Sequence, residues 1–200
     1  MAELFRPLVV GLDLDELDQL ATITCVIRSG DYVITYVNPA WYAFGRDNGA
    51  TRAWGPGDSV LAGIADPLRA FYEDHFATAI ATGTPWEHDY ECSSAELFRL
   101  FHLRAVVLGD HAGLLITHAL RVEHLHSVPL SPAELALYHG EDGLVSQCGH
   151  CRRVRRVAPP RTWDWVPELV AHPARPTSHG LCESCLAYYF GPAALGPSLQ

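Results

Sequence analysis

Two pairs of cysteines constrain this chain more than any other feature. Cys148-Gly149-His150-Cys151 is followed 31 residues later by Cys182-Glu183-Ser184-Cys185. Two residues between cysteines let one turn aim both thiolates at a single ion, and a second such turn completes a tetrahedral four-sulphur site of the structural zinc kind. Iron accepts the same geometry. The alternatives are two disulfides, thiol redox chemistry, or four unrelated buried thiols. A c-type haem is excluded at both steps, because no His follows Cys151 or Cys185.

Disulfides recede because Met1 to Ala21 has neither a positively charged start nor a long apolar core, so a reducing, cytoplasmic setting is expected. No apolar run approaches bilayer-spanning length, which argues against a membrane partner. Charge is unevenly spread. Residues 1–140 carry 8 Arg against 18 acids, net −10, whereas residues 141–200 carry 6 Arg against 5 acids, net +1. The first part should repel polyanions, and any contact with them would fall to the second. The chain has no Lys at all, a bias that reads as genome composition.

Asp13 and Glu16 frame a capping-box-like start, with Leu14, Leu17, Leu20 and Ala21 at helical spacing, so residues 13–21 are predicted to form a short amphipathic helix, a candidate lid or dimerisation element. From Thr22 the period changes to two. Ile23, Cys25 and Ile27 alternate with Thr22 and Thr24, and Ser29-Gly30-Asp31 turns the chain into a second strand over residues 32–37. Cys25 is expected in the core. Asn38-Pro39 supplies an N-cap and a first-turn proline for a helix carrying Trp41 and Phe44, and residues 45–65 read as loop and broken helix.

Asp66-Pro67 opens a longer helix whose stripe is Leu68, Phe71, Tyr72, His75, Phe76, Ala79 and Ile80, ending at Gly83. Three strands follow: one on which Trp86, His88, Tyr90 and Cys92 alternate with acids, then residues 97–108 and 113–123. The order strand, strand, helices, three strands predicts an α+β domain around a five-stranded antiparallel sheet with flanking helices.

That order, and the strand-to-helix junction YVNPAWYAF, resembles a PAS sensor domain over about residues 12–124, with the sensory domain itself expected over residues 22–124. The resemblance implies a sheet whose inner face holds a small ligand or simply packs, and which passes a change of state to a neighbour; it is compatible with a homodimer. His88, His118, His102, Tyr90 and Trp86 are the candidate pocket residues, with an unidentified small ligand or haem as the occupant to test against plain core packing. Residues 125–140, with the capping box Ser131-Pro132-Ala133-Glu134, are expected to be a connector helix.

Residues 141–190 form the expected metal module, followed by a tail over 191–200. Arg152 to Val157 and Thr162 to Val166 read as two short strands about Pro159-Pro160, and Cys182 to Phe190 as a helix with the second cysteine pair at its N-terminus. A hairpin bearing one CxxC and a helix N-terminus bearing the other is the plan of a treble-clef zinc module. CGHCRRVRR, WDWVP and SHGLCESCLAYYF also resemble a C-terminal module found beside PAS, receiver and histidine-kinase regions of bacterial signalling proteins, matched at Ser178, His179, Gly180, Cys182 and Cys185.

Cys148, Cys151, Cys182 and Cys185 are therefore the expected ligands of a structural zinc, with His179 and His150 beside them as hydrogen-bonding neighbours. Arg152, Arg153, Arg155 and Arg156 could face an acidic partner or a polyanion, though one arginine run on an acidic chain is a weak nucleic-acid footprint. No GxSxG, P-loop, HExxH, Rossmann or kinase signature occurs. The expectation is a non-enzymatic signalling protein acting through a protein partner, with a thiol/zinc redox switch or a nucleic-acid-binding regulator as rivals.

Overall fold

A computed structural model of the protein describes residues 12–64, 66, 68–126, 132–160 and 162–195. Pro67, the Ser131 cap, the first eleven residues and residues 196–200 of the expected tail lie outside them. The first elements are α1 (Leu14–Gln19), β1 (Ile23–Arg28), β2 (Ile34–Val37), α2 (Pro39–Asp47) and α3 (Leu68–Thr82). Then come β3 (Trp86–Glu91), β4 (Leu97–Leu108) and β5 (Gly113–Leu125). The architecture is mixed α and β, and the strands form one five-stranded antiparallel sheet in the order β2-β1-β5-β4-β3.

Local chemistry explains these elements. Asp13 caps α1 by accepting from the backbone N–H groups of Asp15 and Glu16. This helix buries no side chain, so the amphipathic pattern over 13–21 yields only an exposed six-residue element. β1 lies between β2 and β5, with Cys25 opposite Val37 on one side and Ile116 on the other. Burial lifts the Cys25 thiol to about 12, as suits a small core residue.

Asn38 does more than cap α2. Its Oδ1 accepts from the N–H groups of Trp41 (3.2 Å) and Thr24 (3.0 Å), while Nδ2 donates to the carbonyls of Thr22 (2.9 Å), Leu20 (3.2 Å) and Leu17 (3.3 Å). One fully buried amide thus joins the end of α1, the start of β1 and the start of α2. In α3 the predicted stripe is the buried face at Leu68, Tyr72, Phe76, Ala79 and Ile80, and Gly83 terminates the helix with φ +71°.

The remaining elements are α4 (Pro132–Leu135), β6 (Val145–Cys148), β7 (Val154–Arg155), β8 (Trp163–Asp164), α5 (Pro167–Ala171), β9 (Thr177–Gly180) and α6 (Glu183–Phe190). A second, four-stranded sheet has the order β8-β7-β6-β9, antiparallel except for the parallel pair β6 and β9. β7 and β8 are the two strands expected around Pro159-Pro160; β6 and β9 were not expected.

The chain divides into two compact units, Met1–Tyr90 with Phe101–Arg121, and Glu91–Leu100 with Val122–Gln200. The division differs from the boundary expected at residue 124, because β4 and β5 are long strands that contribute residues to both units. The segment expected as a connector is also part of a core. Tyr138 is 2% exposed and packs with Val145, Val154, Val166 and Leu169, joined by Leu135 and Leu137. Its hydroxyl donates to Asp164 at 2.7 Å.

Candidate metal centre

The four module cysteines converge. Cys148 ends β6, Cys151 follows in the turn towards β7, Cys182 is the N-cap of α6, and Cys185 lies in its first turn. All four are buried, and their Sγ atoms lie within 4.8 Å of one another. Zinc–sulphur bonds of about 2.3 Å in a tetrahedron place sulphurs about 3.8 Å apart. The Cys151 and Cys182 sulphurs are 3.7 Å apart, too far for a disulfide and right for sharing an ion.

Backbone geometry holds this arrangement. Cys148 donates its N–H to the Arg153 carbonyl (2.8 Å), and Arg152 donates back to the Cys148 carbonyl (3.1 Å), closing the first knuckle. The turn puts Arg152 at φ +63°, a left-handed conformation that costs a non-glycine residue about 1–2 kcal/mol. Gly149 donates to the Gly180 carbonyl at 2.7 Å, fastening the knuckle to β9 and so to the second pair. The N–H groups of Cys182 and Cys185 point at the sulphurs of Cys148 and Cys182, both at 3.4 Å, as donors that favour thiolate.

The donor set fits a dication on its own chemistry. Without one, hydrogen bonds from Cys151, Cys182 and Cys185 push the Cys148 thiol far below its ordinary pKa, and the same sharing with Cys148 pushes Cys151 and Cys185 far above theirs. Cys182, raised by Cys148 but lowered more by Cys151 and Cys185, also falls below its ordinary value, so Cys151 and Cys185 are the two thiols that keep their protons. Four ionise together only when a positive charge sits among them.

The two histidines separate. His150, between the first two cysteines, lies edge-on to Tyr189 with ring centroids 4.9 Å apart, and burial lowers its pKa. His179 is exposed on β9, opposite Gln147 in register, whereas the His150 ring meets the Tyr189 hydroxyl. Two neighbours of the cysteines were not among the residues expected from the sequence. Tyr189 stands one helical turn after Cys185, a spacing that would have placed it on the same face. Buried Gln147 donates to the Arg152 carbonyl at 3.1 Å.

The arginine cluster does not form an open basic patch. Arg152 donates to the Val170 carbonyl, Arg153 pairs with Glu91 at 3.3 Å, and Arg156 pairs with Asp164 at 3.3 Å while lying over the Tyr138 ring. Arg155 alone of the four is exposed. Three of the four arginines named as possible polyanion contacts therefore make hydrogen bonds or ion pairs within this unit.

The five candidate pocket residues of the first unit also fall in different places. Trp86 and His88 stack at 5.5 Å and pack with Phe71 and Tyr72 from α3. Tyr90 and His118 form a second group with Phe101 and Trp41. There the Tyr90 hydroxyl lies 2.8 Å from His118 Nδ1, His118 Nε2 is buried without a hydrogen-bond partner, and burial lowers the pKa to about 4. His102 sits on the acidic face instead, with Nδ1 2.7 Å from Asp89 and Nε2 3.7 Å from Glu87. The ambiguity of its strand orientation is resolved by those two carboxylates. The surface groove lined by Asp18, Val37, Pro39, Ala40, Tyr42, Ala43 and Arg46 involves none of the five.

No family model matches this chain, and no curated protein sequence matches it. Among the described residues no helix is long and apolar enough to cross a membrane.

Proposed function

We propose that this is a cytoplasmic bacterial signalling protein in which a PAS-like sensory body is joined to a treble-clef-like module folded around one zinc ion, and that it acts by binding a protein partner without catalysis. The observation that carries the reading is the convergence of four buried cysteine sulphurs within 4.8 Å. A closed four-sulphur set leaves no position for substrate water, which suits a structural ion. Zinc, when bound, supplies the charge that lets all four thiols ionise together and contributes folding free energy. The chain supplies the rest: the β6–β7 turn and the α6 N-terminus aim the sulphurs, and core side chains exclude water from them. That core is small, centred on Tyr138, Val145, Val154, Val166 and Leu169, so a staple is needed.

The sensory part of the reading is supported by the element order, two strands, helices and three strands, and by the Asn38-Pro39 junction. The rivals gain nothing from the site. Redox switching asks for accessible thiolates and these four are buried; nucleic-acid binding asks for free arginines and three of the four are paired. The test is elemental analysis of untagged protein purified without added metal, alongside Cys182→Ser. About one zinc per chain is expected, with the variant losing metal and the fold around Trp163 and Trp165 while the first unit stays folded. Metal-free protein, or a variant that keeps its full metal content, would overturn the proposal.

A further inference from the structure

The ligands come in two half-sites 31 residues apart, and separation of these half-sites opens the ligand set. His150 belongs to the first, lying between Cys148 and Cys151. Tyr189 belongs to the second, one turn along α6 from Cys185. The Tyr189 side chain is 6% exposed, and its hydroxyl lies 3.2 Å from His150 Nδ1 and 3.1 Å from Nε2. The rings meet edge to face at an interplanar angle of 81°. We propose that this Tyr189–His150 contact is a latch across the two half-sites that sets how fast the bound metal is released.

The inference rests on the zinc reading above and adds a regulated property to it, the residence time of the ion. The contact involves no ligand atom, so it does not define the site. The backbone bond from Gly149 to Gly180 and the N–H group aimed from Cys182 to the Cys148 sulphur bring the half-sites together independently of it. Removing the hydroxyl therefore leaves the ligand set assembled but makes its opening easier. A group that breaks before the half-sites part raises the barrier to release while leaving the coordination geometry alone.

The experiment uses the full chain loaded with zinc and mixed with excess chromogenic chelator, and release is followed by stopped flow. Tyr189→Phe should release zinc about fivefold faster, the equivalent of one hydrogen bond of about 1 kcal/mol. His150→Ala should do the same from the other side, and serves as the second variant if the first fails to fold. The double variant should be no faster than either single one, since both remove the same contact. Cobalt-substituted protein should keep its tetrahedral thiolate spectrum in all three. Release at the wild-type rate, or accelerations that multiply in the double variant, would overturn the latch alone. A changed cobalt spectrum would also overturn it, by showing that these groups act on the ligands. Purified chain that neither contains nor takes up metal would overturn the latch and the zinc reading together.

Discussion

Replacing Asn38 with Ala tests whether one side chain organises the first unit. The amide is fully buried, accepts two hydrogen bonds and shares its two N–H donors among three carbonyls. Loss of an N-cap acceptor costs about 1 kcal/mol. Leaving the Thr24 N–H buried and unpaired costs about 1–3 kcal/mol, and the carbonyls of Thr22, Leu20 and Leu17 lose further donors. The expected total is about 3–4 kcal/mol, a large share of the stability of an ordinary domain. In urea, with a slope of about 1.5 kcal/mol per molar, the transition of this unit should move down by about 2 M. Asn38→Asp sharpens the test, because it keeps the acceptor but turns a carboxylate oxygen toward three carbonyls. That variant should be at least as unstable at neutral pH and should recover partly on acidification, when the protonated carboxyl can donate once. Urea unfolding followed by far-UV circular dichroism, with exchange of the Thr24 amide as the local probe, measures both. A cost below about 1 kcal/mol for Asn38→Ala, within the range of an ordinary surface substitution, would refute the reasoning.

Three further outcomes follow from single features. Burial holds the folded His118 pKa near 4 against an ordinary 6.5, so between those values the unfolded chain binds the proton and the folded one does not. Stability of the first unit should be complete above pH 6.5, fall by something on the order of 3 kcal/mol as pH drops towards 4, and level off below; His118→Gln should flatten that dependence in denaturation measured across the window. Tyr138→Phe removes the 2.7 Å bond to Asp164 while keeping the ring, and should lower the stability of the second unit by about 1 kcal/mol in thermal unfolding. Gly83→Ala puts a side chain at φ +71°, and should cost the first unit about 1–2 kcal/mol by the same assay.

The parts of the fold legible in the sequence are those where a local pattern and its tertiary use agree. The α3 stripe is the buried face, the β1–β2 alternation is a strand pair, and the two CxxC steps place four sulphurs together. β6 and β9 were not legible for a physical reason. β9 reads Thr-Ser-His-Gly with three of its four residues exposed, so no apolar alternation marks it; its conformation comes from pairing with β6, whose partner residues lie 32 positions earlier. His102 was ambiguous because β4 is long and apolar on much of both faces, and only Glu87 and Asp89 on the neighbouring strand decide its side. The arginine run shows the converse. Four charges in five residues suggest an open face, but Val170, Glu91 and Asp164, all distant in sequence or brought close by folding, take up three of them.

The parallel pairing of β6 with β9 bears on the order in which the module can be made. Parallel neighbours need a crossover, and here it contains β7, β8 and α5 before the chain returns to Gly180. As the polypeptide is made, Cys151 precedes Cys182 by 31 residues, so the first pair is an open dithiol before the second can join it. Any metal captured early can be held by two sulphurs only, and an oxidant meeting the nascent chain would find two neighbouring thiols with no partner half-site to shield them. The open interval of this module is therefore the stretch of synthesis in which the first thiol pair stands without the second.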